Sequence, residues 1–188
     1  MTAEWTLVDI TDADGPDTAD RLVAAHRAQP WPAGLREASW FTSLDGEVVA
    51  ELRRFTTEAA LRAAAGPASF AFRLHESSGV DGGEPAGCVN IVIRENADHE
   101  SAARFIAALV ERSAANPQIG SPTVASFHIG VDDAVTLLYS EWPSKQAHDD
   151  HMAGMRHTMA DLYRGLPAPV SFHQYRHHLS LRTTGVPG

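Results

Sequence analysis

The residues best suited to chemistry fall in the second half of the chain. Helically spaced between Lys145 and Leu166 are His148, His151, Met152, Met155, Met159, Leu162 and Tyr163, which puts two imidazoles on one stripe with three methionines. Imidazole titrates nearest neutrality and can accept or return a proton. The adaptable methionines and the indole of Trp142, just ahead of the helix, suit a flat hydrophobic ligand. Plain alternatives carry equal weight: a buried histidine is most often a hydrogen-bonded core residue, a methionine stripe is most often packing, and Trp142 would serve as a core anchor. His148 and His151 also have the i, i+3 spacing of a metal pair. No third ligand of suitable spacing follows and no HExxH helix exists, so no metal is expected. His173, His177 and His178 fall on a terminal strand. The sequence has no GxGxxG after a strand, no P-loop and no GxSxG elbow, so nucleotide, flavin and acyl-serine chemistry lack their usual signposts.

These residues need elements to position them, and the elements come twice. Arg36–Gly46 reads as a strand ending in a turn dipeptide, Glu47–Phe55 as its return and Thr56–Leu61 as a helix start; Thr123–Asp133, Ala134–Trp142 and Pro143–His148 repeat the pattern, with Asp45 aligned on Asp132. Internal repetition of this kind decides the fold. Trp5–Ile10 and Cys88–Ile93 read as strands, the second nearly continuous in Val and Ile. Helices follow each: residues 18 to 29, with Asp17 as cap and Leu22, Val23 and His26 on one face, and a second carrying Ala102, Phe105, Ile106, Leu109 and Val110, ended by Asn116-Pro117. Closing strands at Phe70–Glu76 and Val170–His178 complete βαββαβ twice, the ferredoxin-like split unit.

The expected fold is α+β: two tandem ferredoxin-like units forming an intrachain dimeric α/β barrel, because each four-stranded sheet would otherwise expose an apolar face. The first unit is expected at 1–79 and the second at 86–182, with a Gly/Ser/Pro-rich linker at 80–85 and a tail at 183–188. On strand Ala134–Trp142, Val135, Leu137 and Tyr139 alternate with Leu138 and Trp142, so the strand is central and one of the two sets faces the helices. A two-residue turn at Asp132-Asp133 would pair His128 with Leu137 and aim it away from Trp142; a longer loop or bulge would bring the two together.

Composition narrows the partners. The chain has 188 residues, with Lys+Arg 15 against Asp+Glu 24 for a net charge of -9, so neither nucleic acid nor an anionic membrane is an expected partner. A single cysteine, Cys88, suits a reducing cytoplasm better than a secreted, disulfide-bonded domain. No apolar run approaches the roughly 18 residues of a membrane span. The sequence leaves a further homodimer open.

The run Ser126-Phe-His128, then Asp132-Asp133, then Leu137-Leu-Tyr-Ser-Glu-Trp142-Pro-Ser144-Lys-Gln-Ala-His148 resembles the antibiotic biosynthesis monooxygenase family. The resemblance implies dimeric α/β barrels. For members of aromatic polyketide pathways it implies oxidation of phenolic anthrone-type substrates to quinones with O2 as co-substrate and no metal, flavin or nicotinamide cofactor. Related barrels include haem-degrading enzymes and catalytically unassigned stress or signalling proteins. By resemblance the family's histidine before the turn falls on His128, its tryptophan on Trp142 and its aromatic hydroxyl on His148. The family asparagine four residues before the tryptophan is Leu138 here, and Asn90 could supply an amide from another side. A helix arginine falls on Leu162, with Arg156 and Arg164 near it. In the first half the same positions read Phe41, Glu51, Phe55 and Leu61, which keep the fold without the polar set.

The expected site therefore has His148 moving the proton with His128 or His151 behind it. Trp142 walls the ring and donates its N–H to a peroxide oxygen, while Leu138, Asn90, His151, Met152, Met155, Arg156 and Arg164 contact a small aromatic substrate. The alternative from another class is a barrel that binds a small apolar ligand without turnover, which Leu138 favours; haem binding or degradation through His148 or His151 is a third.

Overall fold

The computed structural model describes residues 4–79, 86–117, 119–132, 134–164 and 166–183. The elements run β1 (Trp5–Asp12), α1 (Thr18–Arg27), β2 (Leu35–Ser43), β3 (Val48–Phe55), α2 (Glu58–Ala64) and β4 (Phe70–Gly79), then β5 (Cys88–Glu95), α3 (His99–Ala114), β6 (Val124–Gly130), β7 (Val135–Trp142), α4 (Lys145–Tyr163) and β8 (Ser171–Arg182). The order βαββαβ thus occurs twice, in an α+β chain whose strands pair antiparallel. The expected linker at 80–85, Asp133 of the second turn and residues 184–188 of the expected tail lie outside the described residues. No helix among the described residues is long and apolar enough to cross a membrane.

The chain forms two compact units, one from residues 1–74 with 175–188 and one from 75–174. The division falls inside β4 and β8 rather than at the 80–85 stretch, because each of these strands runs on after its first pairing. Phe70 to Arg73 pair with β1 in the first unit, whereas the rest of β4 from His75 belongs to the second. Likewise Ser171–Gln174 of β8 belongs to the second unit, while Tyr175–Arg182 pairs with β2 in the first.

In the first unit the strands lie in the order β4-β1-β3-β2-β8. Alternation sends Leu7, Ala38, Trp40, Val49 and Phe55 into a core with Val23 of α1 and Leu61 of α2. The helices α2, α3 and α4 are capped as their sequences require, by Thr57, Asp98 and Ser144 side-chain oxygens accepting from the backbone N–H three residues on. Helix α1 differs from expectation. The Asp17 side chain makes no capping hydrogen bond, pairing only with Arg21 at 3.8 Å; instead the Thr18 hydroxyl, inside the first turn, donates to Asp14 Oδ1 at 2.7 Å. Helix α4 ends at Tyr163, short of Leu166, because Arg164 turns to an extended backbone (φ -65°, ψ 122°).

The first half was expected to lack a polar set, yet Glu51, the counterpart of Leu138, anchors one. His26 Nδ1 lies 3.5 Å and Arg53 Nε 3.4 Å from Glu51 Oε1, and Arg53 also pairs with Asp9. The His26 ring meets Trp31 and Trp40 edge-on at 5.5 and 5.1 Å. Burial raises the Glu51 carboxyl above its usual range against the pull of Arg53, and burial lowers His26. A carboxyl raised in the fold is a stability deficit that appears as pH climbs past its ordinary value of 4.5 and is absent well below it. Glu51→Gln removes that deficit. The variant should melt higher than wild type by a few degrees at pH 7, at about 2–4 °C per kcal/mol, and the two curves should converge near pH 4. Thermal melts at both pH values check this; an equal gap at both would reject it.

Candidate functional site

The site lies in the second unit and follows from strand register. Asn90 stands opposite Ser140, Val92 opposite Leu138, and on the other flank Ala125 opposite Ser140 and Phe127 opposite Leu138. Because side chains alternate, Asn90, Val92 and Arg94 share a face with Leu138, Ser140 and Trp142, and with Ala125 and Phe127. Helix α3 lays Phe105, Leu109 and Val110 over that face, and α4 adds His148, His151, Met152 and Tyr163. Between sheet and helices is a cavity of about 630 Å³, within the usual span for a small-molecule site. The set facing the helices is thus Leu138/Trp142, the choice the sequence left open.

The start of α4 is set by a close backbone approach. A Cβ at Gly87 would stand 2.1 Å from the Pro143 carbonyl oxygen, one residue before the Ser144 cap. Gly87→Ala must therefore push Pro143 and the first turn of α4 away from β5, carrying His148 and His151 with it. Both a lower Tm and weaker ligand binding are expected; unchanged melting would contradict the tight approach.

Around Trp142 the polar groups are ordered. The indole N–H donates to Ser140 Oγ at 2.9 Å, and the ring meets His148 edge-on at 5.3 Å and His151 at 4.9 Å. His148 is 3% exposed. The Gln174 amide nitrogen sits 2.9 Å from Asp149 Oδ1, which it can only approach as a donor, and 2.7 Å from His148 Nδ1. The amide orientation is thereby assigned, and with its 2.7 Å contact, the shortest at His148 Nδ1, taken as the bond, in neutral His148 the Nδ1 accepts and Nε2 carries the hydrogen. That Nε2 is buried with no hydrogen-bond partner. Asp149, bonded to Lys145 and Gln174 and 3.2 Å from His148 Nδ1, is held far below the usual carboxylate range, with the Lys145 bond the largest cause.

His151 has the opposite polarity. Its Nδ1 lies 2.5 Å from the Gly120 carbonyl, an acceptor, so Nδ1 carries the hydrogen and Nε2 offers a lone pair. Burial holds the imidazole below its ordinary value, opposed by the Gly120 bond. At the far end of β5, Arg94 is buried, donates to the Pro167 carbonyl and lies over the Tyr163 ring. Burial raises the Tyr163 hydroxyl, with Arg94 pulling the other way.

The expected site residues separate accordingly. Trp142, His148, His151, Leu138, Asn90 and Met152 all line the cavity. His128 does not: it is buried opposite Leu137, the outcome of the two-residue-turn register, on the sheet face away from Trp142. Met155 and Arg156 line a separate hollow of about 440 Å³ instead. Arg164, 79% exposed, pairs with Asp161 at 2.7 Å and does not reach the cavity. Trp142 was expected to offer its N–H to a ligand, and Ser140 already takes it. Three contributors were not foreseen: Gln174, Ser140 and Arg94. Each sits at a strand position whose alternation was readable, but their partners are set by cross-strand and strand-to-helix contacts.

No protein-family model matches the sequence, and no curated protein matches it. Solved structures do share the fold. An anthrone oxidase-like protein aligns at a TM-score of 0.77 and 13% identity, over 98% of this chain and 95% of that one. A monooxygenase-like protein from Listeria innocua aligns at 0.62 and 15% identity, over 92% and 94%. The heme-degrading enzyme LmHde from Listeria monocytogenes aligns at 0.57 and 14% identity, over 92% and 99%. The chain therefore shares the α+β fold of these structures, the class expected from its sequence. A shared fold at such identities does not carry the activity with it.

Proposed function

We propose that the chain is a cofactor-independent monooxygenase that oxidises a phenolic anthrone-type compound to a quinone with O2. The two βαββαβ halves would form one intrachain dimeric α/β barrel, with the second half holding the active cavity. The observation that carries the reading is the pair of cavity-lining imidazoles beside Trp142 with opposite hydrogen-bonding character, a lone pair on His151 Nε2 and an N–H on His148 Nε2. Base and donor are both present in an apolar pocket, where proton transfer and charge stabilisation are most effective.

On this reading His151 takes a proton from the anthrone methylene, exchanging roles with His148, on which the sequence placed that task. The resulting enolate passes one electron to O2, and the radical pair combines to a peroxide anion at that carbon, which takes back the proton held by His151 to give the hydroperoxide. The hydroperoxide loses water to leave the new carbonyl, so one O2 is consumed per anthrone and one water is formed, with no external reductant. His148 Nε2–H stabilises the developing oxyanion. The buried Asn90 Oδ1, which has no hydrogen-bond partner, gives the cavity an amide in place of the one lost at Leu138.

An oxygen electrode with simultaneous quinone absorbance tests the stoichiometry. Because burial keeps His151 below its ordinary 6.5, its basic form persists through neutrality. The acid limb of kcat/KM should therefore fall below pH 6.5; a limb at or above 7 would rule out His151 as the base.

A second reading, ligand binding without turnover, is favoured by two observations: Leu138 occupies the wall and Ser140 consumes the Trp142 N–H. Tight binding of an anthrone with no O2 uptake would select it.

A further inference from the structure

We propose that the cavity of the second unit takes an amphipathic carboxylate, an apolar ring system bearing one carboxyl group held by the Arg94 guanidinium at the end remote from Trp142. This rests on the reading of the cavity as the substrate site and adds the chemical class of what enters it.

Arg94 lines the cavity from β5 opposite Thr136 and is 8% exposed. A guanidinium carries five N–H donors. Among the described residues this one makes a single side-chain hydrogen bond, to the Pro167 carbonyl, and its carbon lies 5.4 Å from the Tyr163 ring centroid. No carboxylate pairs with it among the described residues. A buried charge without a counter-charge is costly, and a planar carboxylate is the shape its fork is built to accept.

The rest of the cavity is polarised to match. An acidic group stands at the other end, where Asp149 lies behind His148. An anionic group is therefore disfavoured beside Trp142 and favoured beside Arg94. Between the two ends the walls are apolar, formed by Val92, Leu138, Phe127 and Phe105. Along β5 from Asn90 to Arg94 the strand rises about 13 Å, room for fused rings with the acid at one end and the reacting carbon near His151 at the other. The chain as a whole carries a net charge of -9, which repels anions, so any preference for an acid must arise locally at Arg94.

The test is calorimetric titration of the intact protein at pH 7 with anthraquinone carboxylate and with the matching carboxamide. Wild type should bind the acid at least about tenfold more tightly. Arg94→Met should abolish that preference while holding the carboxamide within about twofold, and Arg94→Lys should keep part of it. Equal wild-type affinities, a preference that survives in Arg94→Met, or binding of neither compound would overturn the assignment. The wild-type ratio needs no variant, so misfolding of Arg94→Met cannot protect the idea. Failure of the oxygenase reading is separate. An acid that binds preferentially while its anthrone consumes no O2 removes turnover and leaves the carboxylate site. A neutral anthrone oxidised as well as the acid, with no binding preference, does the reverse.

Discussion

Replacing His151 by alanine should lower kcat for anthrone oxidation by about 10² to 10⁴-fold with little change in KM, the loss typical of a removed general base. The argument is one of hydrogen-bond polarity. The Gly120 carbonyl fixes the hydrogen of His151 on Nδ1, leaving Nε2 able to accept a proton without prior rearrangement. His148 has its Nδ1 occupied by the Gln174 amide and can only donate from Nε2 while neutral. His148→Ala should therefore cost less, about 10- to 100-fold, the worth of one hydrogen bond to a developing charge. Gln174→Leu should follow His148→Ala in direction, because without the amide the ring can adopt the other tautomer. Steady-state kinetics on the three variants separates these effects. A large loss for His148→Ala beside a small one for His151→Ala would return the proton to His148.

The largest stability effect is expected at Trp40→Ala in the first unit. Trp40 is fully buried and packs edge-on against His26 in the core with Leu7, Val49 and Phe55. Truncating a buried Trp costs about 3–5 kcal/mol, which at 2–4 °C per kcal/mol lowers Tm by roughly 6–20 °C. A thermal melt decides it, and a fall of under about 2 °C would mean that the indole is not packed as described.

Much of the architecture was legible in the sequence because it is written in periodicity. Val and Ile at Cys88–Glu95, the helical stripe Ala102–Val110 and the aligned turns at Asp45 and Asp132 are local signals, and each produced the element expected. The face of β7 that carries Leu138 and Trp142 was half legible: alternation grouped the residues, but only the helices above them determine which group is covered. What stayed hidden depends on pairing. Gln174 reaches His148 from β8, a contact no local pattern announces. Arg94 reads as the polar end of a strand until α4 brings Tyr163 over it. Glu51 looked like a lost polar position, and only the packing of α1 places His26 beside it. The Asp17 cap failed because Thr18, able to bond back to Asp14, competed for the same turn.

The most direct test of the oxygenase account is single-turnover oxidation of an anthrone by the purified protein under isotopically heavy O2, with chelator present and no added cofactor, read by mass spectrometry. The account predicts one heavy oxygen atom in the quinone and the other in water, at a rate strongly reduced in His151→Ala. A quinone whose new oxygen comes from solvent, or an anthrone that binds and stays unoxidised, would contradict it.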